Sequence, residues 1–169
     1  MNLYMTLGTA DFMEKLVVKY KNEEMILLHG QGSAVVLHET DKKSVFVSPR
    51  SYEIVDGSGQ LQQRGYFVMH HLPLDGESRE VYIQHFKDVS AALKSEDLLL
   101  AFRLLAPSKK SDPLVFLTQW VGPSLYEAWL QTKSYKNSFA QLLSLKASSV
   151  QKIFDGDGYI STYTAPIPE

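Results

Sequence analysis

Apolar and polar side chains alternate from the start of the chain. Leu3, Met5 and Leu7 interleave with Asn2, Tyr4 and Thr6, the two-residue period of a half-buried strand, and Gly8 ends it. Thr9 then stands where a helix cap belongs, followed by Asp11 and Glu14 in the first turn. Phe12, Leu16 and Tyr20 recur at four-residue spacing, which predicts a helix with that inner face, stopping near Asn22. Two apolar runs, Met25 to His29 and Ala34 to Glu39, flank Gly30-Gln31-Gly32 and read as a hairpin. After the turn Asp41-Lys42-Lys43 comes a short apolar run, Val45 to Val47. Pro49 then opens a predicted helical piece, Arg50 to Asp56, broken by Gly57 and Gly59.

Ser58 to Gly65 is the predicted linker. Beyond it, Tyr66 to Leu72 has strand composition and Pro73 with Asp75-Gly76 terminates it. Ser78 can cap a helix whose apolar face is Tyr82, Phe86, Val89 and Leu93, with Lys87, Asp88 and Lys94 towards water. Leu98 to Leu105 and Leu114 to Trp120 form a second hairpin around a polar loop. Gly122-Pro123-Ser124 starts another helix, with Leu125, Ala128 and Trp129 on its inner side, and helical pattern resumes from Ser134 towards Leu145. Asp155-Gly156-Asp157-Gly158 turns into a last strand, Tyr159 to Thr164.

Strand, helix, strand, strand, helix, strand is the ferredoxin-like order. The fold class is therefore α+β, with a ferredoxin-like domain at 65–169 and a related, degenerate α+β half at 1–64. Ser51-Tyr52-Glu53 and Leu125-Tyr126-Glu127, each placed at the second helix of its half, are a local echo of duplication.

Composition narrows the classes. Of 169 residues, 44% are hydrophobic and 21% charged, enough to bury a core, and a net charge of −2 gives no global field for nucleic acid or anionic lipid. The absence of cysteine excludes disulfides, thiolate metal sites and a thiol nucleophile. It suits a reducing interior, and no run approaches the roughly 18 apolar residues of a membrane span; the expectation is a cytoplasmic protein.

No phosphate loop, HExxH, GxSxG or acidic calcium loop occurs. His70 and His71 are adjacent on one strand, so they point to opposite faces and do not easily share an ion. His85 reads as partly exposed, and Trp120 and Phe139 by themselves read as core.

Three stretches carry a resemblance: Leu3-Tyr4-Met5-Thr6-Leu7-Gly8-Thr9-Ala10-Asp11-Phe12, His38-Glu39-Thr40-Asp41 and Ser48-Pro49-Arg50-Ser51-Tyr52-Glu53-Ile54-Val55-Asp56. Arg103-Leu104-Leu105-Ala106-Pro107, Leu117-Thr118-Gln119-Trp120 and Tyr163 extend it over nearly the whole chain. Together they resemble the Gram-positive family of the two-part heme-degrading monooxygenase HmoB and signal transduction protein TRAP, whose C-terminal half is an antibiotic-biosynthesis-monooxygenase (ABM) type domain. The resemblance implies a dimeric α/β-barrel type architecture and heme as cofactor, the iron and dioxygen supplying the oxidising power. It implies an asparagine on the first strand of that domain, a tryptophan on the third and an iron-ligating histidine on the second helix. Here Trp120 matches the tryptophan, the asparagine position falls on His70 with His71 beside it, and the histidine position falls on or next to Phe139, preceded by Ser138.

The implied site is thus His70 and Trp120 as catalytic side chains, His70 as the alternative iron ligand, and His70, His71, Trp120, Phe139 and Phe67 as cofactor contacts. Three readings follow: a heme-degrading monooxygenase with an altered ligand, a binder of heme or another planar hydrophobic molecule, or a TRAP-like regulatory protein. The expected partners are that ligand, with no nucleic acid and no membrane, in a monomeric pseudo-dimer or, alternatively, a homodimer.

Overall fold

The structure is a computed structural model that describes residues 1–74, 76–143 and 158–166. Along it run β1 (Asn2–Gly8), α1 (Ala10–Lys19), β2 (Met25–His29), β3 (Ala34–Thr40), β4 (Arg50–Ser58), β5 (Tyr66–Leu72), α2 (Gly76–Lys94), β6 (Leu99–Pro107), β7 (Leu114–Trp120), α3 (Pro123–Leu130) and β8 (Tyr159–Thr164), with a π-helical turn at Tyr135–Phe139. All registered strand pairs are antiparallel, and the sheet closes into a barrel in the order β1-β3-β2-β8-β5-β7-β6-β4.

Read around the ring, β4-β1-β3-β2 comes from the first 58 residues and β8-β5-β7-β6 from the rest. Two seams join these sheets. Across β4 and β6 the register runs from Tyr52↔Pro107 to Ser58↔Phe102 with one bulge, whereas β2 and β8 share a single registered pair, His29↔Thr164.

Because successive residues of a strand face opposite ways, each strand supplies two layers. Leu3, Met5, Leu28, Val35, Leu37, Tyr52, Phe67, Met69, Leu105, Val115, Leu117 and Tyr163 fill the barrel. The opposite face of the C-terminal sheet packs Val68, Leu72, Leu104, Phe116 and Trp120 against α2, α3 and the π-helical turn. Met13 of α1 packs with Ala34 and Val36 of β3 and with Phe46 on the outer face of the N-terminal sheet. Inside the barrel Arg103, 7% exposed, reaches from β6 to Glu39 of β3, with Nε donating to Oε2 at 2.7 Å. Its Nη1 and Nη2 donate to the carbonyls of Ser58 and Gly59 at 3.0 and 2.8 Å.

Several sequence expectations need correction. Arg50 to Asp56 is not helical but lies in β4, because the segment pairs with β1 on one side and β6 on the other; two ladders outweigh a weak local preference for helix. The Tyr-Glu echo therefore joins a strand residue, Tyr52, to a helix residue, Tyr126, and marks no equivalent position. Val45 to Val47 is a loop, from which Phe46 is buried and packs edge-on against His38 at 6.0 Å. In α1, Thr9 caps as expected, accepting from Phe12 N–H at 3.3 Å, but Phe12 itself is 61% exposed and Met13 is the buried residue. Ser78 lies within α2 rather than at its cap. On α3 the buried residues are Tyr126 and Trp129, while Ala128, expected on the inner side, is exposed. The turn at Asp155-Gly156-Asp157 and the helical pattern beyond Leu143 fall outside the described residues. No helix among them is long and apolar enough to cross a membrane.

Candidate functional site

Alternation along β5 divides the residues singled out from the sequence into two places. His70, with Val68 and Leu72, faces the helices; Phe67 and Met69 belong to the barrel interior, and His71 shares their side of the strand. Trp120 of β7 and Phe139 of the π-helical turn lie in the helix-facing layer with His70, so the structure brings these three to one face and sends Phe67 and His71 to the other.

In the helix-facing layer, His70 is 2% exposed and its ring lies 5.8 Å from that of Phe116, its partner across the strands. Its Nδ1 is buried and has no hydrogen-bond partner among the described residues. Burial, and secondarily the neighbouring His71, pushes its pKa down to about 4, so the ring is neutral near pH 7 and keeps a lone pair. Trp120 is wholly buried, and its indole N–H donates to Thr118 Oγ1 at 2.8 Å.

Between these two residues the layer is filled. His70 pairs with Phe116 and Trp120 with Tyr66, four residues apart along β5, or roughly 14 Å at about 3.4 Å per residue. Over that distance Phe139 stacks on Phe116 at 6.2 Å and meets Phe86 at 5.7 Å and Trp129 at 5.8 Å. Trp129 lies 5.2 Å from Trp120, and Phe86, Phe102, Phe116, Phe139, Trp120 and Trp129 are all less than 2% exposed. The donor chemistry of His70 fits a heme iron. The packing beside Trp120 leaves no space for the macrocycle while Phe139 is in place: a planar ligand spanning His70 and Trp120 has to displace that ring.

His71 occupies a different setting at the mouth of the barrel. It stacks on Tyr159 with centroids 4.0 Å apart and planes at 9°, and its Nε2 is 2.8 Å from Ser161 Oγ. Burial, then the Arg50 charge, pushes its pKa down to about 4. Groups of three or more metal-ligating side chains are absent among the described residues.

Three polar side chains carry structure that the sequence did not assign to them: Arg103 and Gln119, which stand only within resembling stretches, and Gln63. Gln119 is fully buried yet sits in an apolar strand beside Trp120. A lone amide in such a run is the signal that could have flagged it, since buried amides need partners.

The fold is the ferredoxin-like class shared with ABM-type proteins: a Listeria monocytogenes ferredoxin-fold protein related to antibiotic biosynthesis monooxygenases superposes with a TM-score of 0.79 at 18% identity, covering 98% of this chain and 94% of that one. Among individual proteins, the structure of a major regulator of staphylococcal pathogenesis gives a TM-score of 0.84 at 18% identity over 99% of this chain and 100% of the other. The heme-degrading enzyme LmHde of L. monocytogenes gives 0.76 at 16% identity, over 98% and 100%. In sequence, signal transduction protein TRAP of Staphylococcus epidermidis is 20% identical over 163 residues, 96% of this chain and 93% of that protein. No family model matches.

Proposed function

We propose that this chain binds heme, or another planar hydrophobic ligand, against His70 in the layer between the C-terminal sheet and its helices, the ligand displacing Phe139, and does not oxidise it. One observation carries the reading: a buried, neutral imidazole whose Nδ1 has no partner among the described residues faces this layer, while the position of the iron ligand in the resembling enzymes holds the packed ring of Phe139. In this reading His70 would hold the heme iron, and the ring wall around Phe116 would keep water from it. Trp120, tied to Thr118 and backed by Trp129, acts in this reading as packing.

The same reading takes residues 1–64 and 65–169 as related halves forming a pseudo-dimer within one chain. The matching places of successive strands in β4-β1-β3-β2 and β8-β5-β7-β6 support it. The reading takes the N-terminal half as the degenerate one because no helix stands between β3 and β4.

Titration with hemin tests the function. The expected result is a perturbed Soret band at one equivalent, weakened in His70→Ala and retained in Trp120→Phe. With ascorbate in air the band should persist. Loss of the band with a bilin-like product would instead make the chain an oxygenase. An unchanged hemin spectrum would favour the second reading, a regulatory protein without this ligand, which the closed aromatic layer and the likeness to TRAP support.

A further inference from the structure

The linker between β4 and β5, residues 59–65, is fastened at both ends and in the middle. Gln119 of β7 donates from Nε2 to the carbonyls of Gln62 and Arg64, both at 2.9 Å, and its Oε1 accepts from Gln62 N–H at 3.2 Å. Gln63 accepts from Leu27 N–H at 2.7 Å through Oε1 and donates from Nε2 to the carbonyls of Leu27 at 2.7 Å and Pro166 at 3.0 Å. It thereby offers β2 the donor and acceptor that a neighbouring strand would offer, at the seam where β2 and β8 share one registered pair. Gly59 and Gly65 take φ of 77° and 81°, and a Cβ at either would run into the carbonyl of Leu100 or Trp120. Ala165 N–H donates to the Gly65 carbonyl at 2.9 Å. These contacts belong to a linker folded back on its own barrel.

We propose that this strap, fastened by Gln63 and Gln119, keeps the two four-stranded sheets paired within one chain, and that the partner it excludes is a second copy of the same chain, exchanging sheets across the same two seams. Neither seam requires both sheets to belong to one molecule, because the peptide connection between them is the linker alone. Extended at about 3.5 Å per residue, the linker reaches roughly 24 Å, enough to pass from one barrel to another beside it. Exchange preserves both seams and gives up the folded linker's contacts, so those contacts set the preference for the single chain. The inference uses the sheet topology and stands whether or not His70 binds heme.

The sequence contains no cysteine, so an engineered thiol pair reports exchange without background. Glu53 and Ala106 are directly opposite across the β4–β6 seam. Glu53→Cys in one chain and Ala106→Cys in another, mixed and oxidised, can form a cross-seam disulfide only if sheets have exchanged. Both substitutions in one chain form the control, which should close internally. Adding Gln63→Ala to both chains should raise the cross-linked fraction about tenfold or more over the native linker, as its three hydrogen bonds no longer oppose opening. Gly65→Ala, which drives the linker out of its turn without touching Gln63, should do the same, and decides the matter if Gln63→Ala does not fold. Sedimentation of either variant should show a dimer growing with concentration. The proposal is overturned if the variants stay monomeric and uncross-linked while the control closes, or if the native linker exchanges as readily as they do.

Discussion

Burial keeps His70 and His71 neutral down to about pH 4, whereas an unfolded histidine takes its proton near 6.5. Between those values the unfolded chain binds more protons, so stability is fullest above pH 6.5 and falls as the pH drops towards 4. The stability lost across that window is on the order of 3 kcal/mol per histidine. The urea midpoint of the native chain should therefore fall between pH 6.5 and 4.5, and His70→Gln should visibly reduce the slope. An unchanged slope would show that His70 is already protonated in the fold or exposed to water. At this scale the sequence was legible where alternation decides: His70 and His71 part to opposite faces as adjacent strand residues must. The same rule puts Phe67 with His71, a consequence that the resemblance obscured. Gln63 and Arg103 were not legible, because their partners lie 36 and 64 positions away, at Leu27 and Glu39, and no local pattern encodes such a distance.

Among the elements, β2, β5, β7 and β8 could be delimited from their apolar runs and the breakers around them, since both signals are local. β4 could not: its strand character comes from β1 and β6, one of them about 50 residues further on. In α1 the helix and its Thr9 cap were legible but the inner face was set one residue off. Met13 rather than Phe12 turns to the sheet. Met13→Ala should cost about 2–5 kcal/mol, while Phe12→Ala should stay within about 0.5 kcal/mol of the native chain. Thermal unfolding of the pair checks this, and the reverse ranking would mean that α1 is rotated on the sheet.

Across the whole molecule, the ring of strands is held by bonds between distant parts as well as by neighbouring ladders. Arg103 ties β6 to β3 and to the start of the linker. Arg103→Ala removes the cation facing Glu39 and the donor to three backbone carbonyls, those of Ser58, Gly59 and Phe102, so it should cost about 3–5 kcal/mol; a denaturant midpoint within error of the native value would show that water replaces the guanidinium at no cost. The aromatic layer has a further consequence for anyone observing the protein in solution. Its two indoles, Trp120 and Trp129, are the sequence's only ones and stand 5.2 Å apart at 40°. Their electronic transitions are therefore coupled, and the near-ultraviolet circular dichroism should carry a signed couplet. Emission should be blue-shifted and shielded from iodide, so light alone can follow whether a guest has pushed the rings apart.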